Sequence, residues 1–194
     1  SSQYRWSLTD DWLGAPLADI DPSDARAELV HQWLRQFGPG TTTDVRWWTG
    51  WKMSDTRGAL AAVDAVEVEL AGGTGWLLPD DLDPVDPPDD WAALLPSLDS
   101  TVMGWKERDW YLGDHYPTLF DRNGNAGPTV WWNGEIVGAW AQRDDGEIAT
   151  ALLRNLPAAA TGAIDTEAHR LSEWFGDTRI TPRFRSPLER RLAS

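Results

Sequence analysis

Apolar residues between positions 21 and 38 recur at intervals of three and four, the spacing that places side chains on one face of a helix. Asp21 and Pro22 are typical of a helix start, because aspartate accepts a bond from a free backbone N–H and proline has no N–H to leave unpaired. Gly38 and Pro39 end the pattern. We therefore predict a first helix, whose apolar face is formed by Leu29, Val30, Trp33, Leu34 and Phe37.

Two shorter helices are predicted to follow at close spacing. Thr41 and Asp44 form a capping pattern ahead of a second helix, Thr42–Thr49. A third helix is predicted over 54–63, with Ser54 as its cap. Because only residues 50–53 separate the second helix from the third, the pair has the arrangement of a helix-turn-helix.

A β-hairpin is predicted directly after these helices. Val66–Leu70 alternates between apolar and acidic residues, which is typical of a strand with one buried face. A glycine-rich turn, 72–75, separates it from a second strand, Trp76–Leu78. Three helices followed by a hairpin is the element order of a winged helix, so we predict a winged-helix domain over 21–79, a fold that usually binds DNA.

The second half of the chain has the pattern of an antiparallel meander. Asn133-Gly134, a strong hairpin signal, separates a strand at Thr129–Trp132 from one at Glu135–Gln142. A third strand is predicted at Glu147–Leu153, and a helix that starts at 157 or 165 and ends at Phe175. The predicted fold class is therefore α+β, a winged helix followed by an antiparallel sheet with a C-terminal helix over 99–194.

Three remaining segments are less regular. Residues 80–98 are rich in aspartate and proline and are predicted to form an acidic linker. Short strands are predicted at Thr101–Met103 and Trp110–Leu112. Residues 1–20 are interpreted as the remnant of a preceding unit, with a strand at Gln3–Leu8 followed by a loop.

Composition excludes several kinds of site. The chain of 194 residues contains no cysteine, so disulfides and cysteine-ligated metals are excluded. His31, His115 and His169 are far apart and have no second ligand at metal spacing, so we predict no metal and no cofactor. No apolar run is long enough to cross a membrane, and we expect a cytoplasmic protein without a membrane partner.

The charge conflicts with the predicted DNA-binding fold. A formal net charge of −14 repels a polyanion at long range, whereas affinity for DNA comes largely from Lys and Arg at phosphates. Candidate contacts are the residues that open the predicted recognition helix, and a second basic group that would face phosphates if the meander contributes to a DNA channel. These candidates are Lys52, Ser54 and Arg57 in the first group, and Lys106, Arg108 and Arg143 in the second.

A series of short segments, in order, carries a resemblance to a known family. They run from Tyr4–Leu8 and Asp11–Gly14 through Trp33–Thr41, Trp48–Gly50 and Leu95–Asp99 to Met103–Arg108, Gly124–Val130 and Gly134–Trp140. In this succession the chain resembles the AlkZ-like family of tandem winged-helix proteins, which includes bacterial DNA glycosylases acting on alkylated bases and crosslinks. The match is to the C-terminal half of that family.

The resemblance implies a DNA-binding part of a DNA repair protein rather than its catalytic centre. The family's catalytic motif is a glutamine, an apolar residue, then glutamine or aspartate, and neither Gln36-Phe37-Gly38 nor Gln32-Trp33-Leu34 matches it. No catalytic residue is therefore carried over, and a glycosylase activity would belong to a longer parent protein. DNA is the expected partner, either of this chain or only of the full-length protein, and the sequence predicts no oligomeric state.

Two interpretations from different classes stay open on the sequence alone. The first is this non-catalytic, DNA-holding part of an AlkZ-like protein. The second is an acidic, tryptophan-rich protein-interaction module that binds no nucleic acid, since the 14 tryptophans serve a protein contact as well as a stacked base.

Overall fold

The computed structural model describes residues 4–194, in which two antiparallel sheets are surrounded by helices. The strands are β1 (Val66–Leu70), β2 (Gly73–Leu77), β3 (Ala92–Leu95), β4 (Thr129–Trp132), β5 (Glu135–Gln142) and β6 (Ile148–Leu152). The helices are α1 (Thr9–Leu13), α2 (Pro22–Phe37), α3 (Thr42–Thr49), α4 (Met53–Ala62), α5 (Ser100–Met103), α6 (Asp109–Leu112), α7 (Tyr116–Leu119), α8 (Ala158–Phe175) and α9 (Pro187–Leu192), with a 3₁₀ turn at Gly113–His115. The predicted mixed fold with antiparallel sheets is thereby confirmed.

Local sequence signals predicted helices α2 and α3 correctly. Asp21 caps α2 by accepting the Ser23 backbone N–H at 2.8 Å, and α2 ends at Phe37 as predicted. Both hydrogen bonds of the capping box between Thr41 and Asp44 are present at the start of α3. Helix α2 packs on α4, and the shared core contains Val30, Trp33, Leu34, Ala59 and Leu60.

The third helix and the hairpin differ from prediction in detail. Helix α4 begins at Met53 and follows Lys52, whose side chain makes no capping bond, so Ser54 lies inside the first turn and is not the cap. Strand β2 begins at Gly73, which pairs with Leu70, so the turn is shorter than predicted. Backbone bonds between Gly40 and Trp76, at 2.9 and 3.3 Å, tie β2 to the connection between α2 and α3.

The second sheet has the order β3-β4-β5-β6, and its last three strands are the predicted meander. Strand β3 lies inside the segment predicted as a linker, which is a correction to that prediction. Its four residues pair antiparallel with β4, from Ala92 opposite Trp132 to Leu95 opposite Thr129. The acidic, proline-rich residues before β3 are exposed and contain no helix or strand, as a linker would.

Two predicted strands are wrong, because both segments form short helices. Asp99 accepts the Thr101 backbone N–H at 2.8 Å and so starts α5 where a strand was predicted at Thr101–Met103. The segment Trp110–Leu112 lies in α6. The Tyr111 hydroxyl donates to the Val102 carbonyl at 3.1 Å, which joins the two helices in the core.

The N-terminal strand is also wrong over the residues that the structure describes. Residues 4–8 form no strand and lead into α1, while Gln3 lies outside the described residues. Large apolar side chains of this segment are exposed to solvent, with Trp6 at 92% and Trp12 at 80% of their full accessibility. Nothing among the described residues therefore covers the N-terminal segment, which we define as residues 4–20.

The predicted C-terminal helix is present as α8, which packs against the second sheet. Its Ile164 and Ala168 share a core with Val130, Val137 and Trp140 of the sheet. The basic tail beyond it ends in α9, which begins with a capping box between Ser186 and a buried Glu189. Across residues 4–194, no helix combines the length and apolar character needed to cross a membrane.

Candidate nucleic-acid interface

The first group of predicted DNA contacts lies on an exposed surface at the start of α4. Lys52, Ser54 and Arg57 are all exposed, whereas Thr56 is fully buried and its hydroxyl donates to the Lys52 carbonyl at 3.1 Å. Ser54 and Arg57 are three residues apart, so they lie on the same side of the helix. This surface can present one hydroxyl and two cations to a polyanion.

A further exposed basic residue, Arg46, was not among the predicted contacts. Arg46 is exposed on α3 and precedes Trp47 and Trp48, which are 39% and 42% accessible. Residues 45–63, which include Arg46 and α4, have a formal net charge of +2.

The acidity of the chain is concentrated elsewhere. Residues 80–99 contain seven aspartates and no Lys or Arg, so this segment contributes half of the formal net charge of −14. The region 21–79 has a formal charge of only −3, although Glu67 and Glu69 are exposed on β1. The start of α4 is therefore locally positive within an acidic protein.

The second group of predicted contacts is not brought together on one surface. Lys106 is exposed, but Arg108 is only 8% accessible, and its Nη1 donates to the Val102 carbonyl at 3.2 Å. The Arg108 guanidinium also lies 4.9 Å from the ring centre of Trp47 and 5.3 Å from that of Phe120. Such cation–π contacts stabilise the interior and leave this guanidinium unable to reach a phosphate.

Arg143 is engaged in a different part of the molecule. Its Nη1 lies 2.6 Å from Glu147, and its Nε donates to the Leu192 carbonyl of α9 at 3.2 Å. Arg143 thus joins the turn between β5 and β6 to α9. The structure places it beside α9 and gives it no contact with Lys106.

A buried carboxylate fixes Lys106 beside α3. Asp44 is 2% accessible, and its Oδ1 accepts the backbone N–H groups of both Lys106 and Glu107 at 2.8 Å. Its Oδ2 accepts the Thr41 N–H at 3.0 Å and lies 2.8 Å from the Thr41 hydroxyl oxygen. We call this set of contacts the Asp44 junction, since it links the N-terminus of α3 to the loop 105–110.

The Asp44 junction has two further contacts. The Thr41 hydroxyl lies 2.9 Å from Glu107 Oε2 as well, and its single proton can serve only one of the two carboxylates at a time. The indole N–H of Trp105 donates to the Phe37 carbonyl at 3.0 Å at the end of α2. The loop carrying Lys106 is therefore bound at two separate points to α2–α4, which we call the helical unit.

Tyr111, Gln32 and Gln36 lie in structural contacts or at the surface. Within residues 4–194, no group of three His, Asp or Glu side chains is arranged to hold a metal ion. Burial raises the pKa of the Tyr111 hydroxyl well above its usual value, so Tyr111 acts as a hydrogen-bond donor. Gln32 donates to Glu28 at 2.8 Å on the exposed side of α2, and Gln36 is also exposed.

Comparison with known proteins identifies relatives of this chain. The family model described as "DNA glycosylase AlkZ-like" matches residues 1–174. The solved structure of the Streptomyces sahachiroi DNA glycosylase AlkZ is similar in fold, with a TM-score of 0.72 and 22% sequence identity. That similarity covers 86% of this chain and 48% of the relative, so the chain spans about half of the relative's length. No curated protein matches the sequence.

Proposed function

The chain belongs to the AlkZ-like family, and we propose that it is the DNA-holding, non-catalytic C-terminal part of a DNA repair protein of that family. The observation that carries this proposal is the exposed, locally positive start of α4 in a protein that is otherwise acidic. A cytoplasmic location goes with the proposal, because a bacterial repair protein meets DNA there.

We further propose that residues 21–79 form a winged helix in which α4 is the recognition helix. In support, α2, α3 and α4 are followed directly by the β1–β2 hairpin, and residues 50–52 alone separate α3 from α4. Residues at the N-terminal end of a recognition helix contact base edges in proteins of this kind. Lys52, Ser54 and Arg57 occupy that end of α4.

Lys106 extends the proposed DNA surface along α3. Its backbone is bound at the N-terminal end of α3 through Asp44, while Lys52 follows the C-terminal end. A helix of this length spans about 12 Å, comparable to the width of a DNA groove. Arg108 and Arg143 are engaged within the protein, so their geometry does not support a phosphate contact.

The N-terminal segment supports the proposal that this chain works as part of a larger fold. Tyr4, Trp6, Leu8, Trp12 and Leu17 are all more than two-thirds exposed, although large apolar groups are normally covered. We propose that residues 1–20 pack against a preceding unit in the longer protein. The linker at 80–91 and the unit at 92–194 then follow the winged helix.

A salt titration of DNA binding tests the proposed function. Fluorescence anisotropy of a labelled duplex would be measured with this chain and with its full-length parent at several salt concentrations. We expect affinity to fall steeply with salt, because each phosphate contact contributes a slope of about −0.9 to the logarithmic plot. Lys52→Ala and Arg57→Ala should each make the slope shallower by about 0.9, the value of one lost phosphate contact.

Matched controls are available in the same chain. Arg143→Ala removes a cation that is bound to Glu147 and α9, so it should leave the salt slope unchanged. The proposal fails if neither the chain nor its full-length parent binds DNA at low salt. The protein-interaction module, which family membership does not favour, would then be the better interpretation.

A further inference from the structure

A cavity of about 690 Å³ opens between the helical unit and the loop 105–110. Its walls include the turn at Gly38 and Pro39, the end of the hairpin at 70–73, and the residues Trp105–Glu107, Asp109 and Trp110. Sites for small molecules in proteins have volumes of about 300–1,000 Å³ and are lined mainly by apolar groups. This cavity has the size and the mainly apolar lining of such a site.

The walls of the cavity are fixed before any ligand arrives. The Asp44 junction binds the loop 105–110 to α3, and the Trp105 indole is hydrogen-bonded to the end of α2 at 3.0 Å. Backbone bonds between Gly40 and Trp76 hold the hairpin against the same turn. A preformed site binds more tightly than a mobile one, since less ordering is needed on binding.

The polar groups of the cavity give it a negative character. Glu107 and Asp109 are exposed at its surface, and within residues 4–194 neither forms an ion pair. Lys106 is the sole cation among the lining residues, and the third carboxylate, that of Asp44, already accepts four hydrogen bonds or close hydroxyl contacts. The available groups therefore complement a ligand with a positive charge.

An exposed tryptophan supplies an aromatic surface at the same place. Trp110 lines the cavity and is 64% accessible. Its ring is held at steep angles against Trp105 and Tyr111, with ring centres 5.4 and 4.7 Å away. An indole beside carboxylates attracts cations through the negative face of its ring system.

We propose that this cavity binds a small, planar aromatic ligand that carries a positive charge. The ring of the ligand stacks on Trp110 and contacts the apolar wall formed by Pro39 and Leu70. Its charge is balanced by Glu107 and Asp109. The lining contains none of the proposed DNA contacts on α4 and shares only Lys106 with the proposed DNA surface, so binding of the ligand can be tested without DNA.

Calorimetric titration of the full chain with three probes tests the ligand class. N-methylisoquinolinium is planar and cationic, isoquinoline at a pH where it is unprotonated has nearly the same shape without charge, and tetramethylammonium is a cation without a ring. We expect the first probe to bind about tenfold more tightly than either of the others, as the magnitude of a cation–π contact implies. Equal binding of isoquinoline, or no binding of the cation up to about 10 mM, would overturn the proposal.

Two pairs of variants locate the site. Trp110→Ala should weaken binding of N-methylisoquinolinium about tenfold, whereas Trp174→Ala removes a tryptophan of similar exposure from α8 and should have no effect. Gly72→Leu adds a side chain in open space at the mouth of the cavity and should block binding, while Gly162→Leu does the same on α8 and should not. The proposal is wrong if the α8 variants weaken binding as much as the cavity variants do.

Discussion

The Asp44 junction buries charged groups, whereas the N-terminal segment exposes large apolar ones. Both differ from the usual arrangement, in which charges face solvent and apolar groups are covered. At the junction a carboxylate is buried at 2% accessibility, and Arg108 nearby is buried at 8%. In the N-terminal segment, Trp6 and Trp12 are among the most exposed large apolar residues described. The buried Asp44 carboxylate accepts several hydrogen bonds, and the buried Arg108 guanidinium has one hydrogen bond and two ring contacts, whereas the exposed rings have no aromatic partner within residues 4–194. The comparison contrasts a polar cluster that has its partners within the fold with apolar rings that no described residue covers.

Among the variants that test this comparison, removal of the Asp44 carboxylate should lower the stability of the chain most. Asp44→Ala leaves the backbone N–H groups of Lys106 and Glu107 without an acceptor and removes the capping box of α3. We expect the free energy of unfolding to fall by about 3 kcal/mol, the scale of several lost charge-assisted bonds at a buried site. Urea denaturation of the variant and of the unaltered chain measures this difference in unfolding free energy.

The control for this variant is another acidic residue at the start of a helix. Asp55 lies in the first turn of α4 and makes no comparable set of bonds across the fold. Asp55→Ala should lower stability by about 0.5 kcal/mol, the scale of a favourable charge at a helix start. If the two variants were equally stable, the junction would not be a structural link.

Arg108 and Lys106 offer the next largest contrast, although only one residue separates them. Arg108→Ala removes the bond to Val102 and the contacts with Trp47 and Phe120, so we expect a loss of about 2 kcal/mol in unfolding free energy. Lys106→Ala should change stability by no more than about 0.5 kcal/mol, because its side chain is exposed. Denaturation curves of both variants, recorded together, test the assignment.

DNA binding should separate the same two residues in the reverse order. Lys106→Ala should weaken binding and lower the salt slope, whereas folded Arg108→Ala should bind with the slope of the unaltered chain. A reduced slope for Arg108→Ala at a temperature where it is fully folded would contradict the placement of this guanidinium in the interior.

The smallest effect on stability is expected in the N-terminal segment. The double variant Trp6→Ser and Trp12→Ser should change the unfolding free energy of this chain by about 0.5 kcal/mol or less, because exposed rings have little contact to lose. In the longer protein proposed above, the same change should destabilise by several times more if the rings pack on a preceding unit. A large loss in the short chain alone would show that the rings are already packed here.

The sequence predicted the elements whose ends are marked by local chemistry. Asp21, the Thr41–Asp44 box and the Asn133-Gly134 turn act within a few residues, so α2, α3 and the meander were predicted close to their observed bounds. Strand β3 was missed because four residues after an aspartate- and proline-rich stretch become a strand only through pairing with β4. Helices α5 and α6 were taken for strands because short apolar runs have no clear period.

The candidate site was predicted less completely, because contacts between distant parts of the chain determine which basic side chains are exposed. Lys106 and Arg108 are both basic and nearly adjacent, and a basic pair in a loop indicates a charged surface. The two N–H bonds to Asp44 orient the loop so that one side chain lies outside and the other between Trp47 and Phe120. No sequence spacing encodes a contact between positions 44 and 106, so the burial of Arg108 could not have been predicted.

The bonds that Asp44 accepts have a consequence for local unfolding. Lys106 and Glu107 are exposed residues outside any helix or strand, so their amide hydrogens would ordinarily exchange rapidly with deuterated solvent. Because both N–H groups are bound to a carboxylate at the start of α3, they can exchange only when that contact opens. The two loop amides and the Thr41 amide should therefore exchange slowly and at a common rate, as one cooperative unit spanning more than sixty residues of chain.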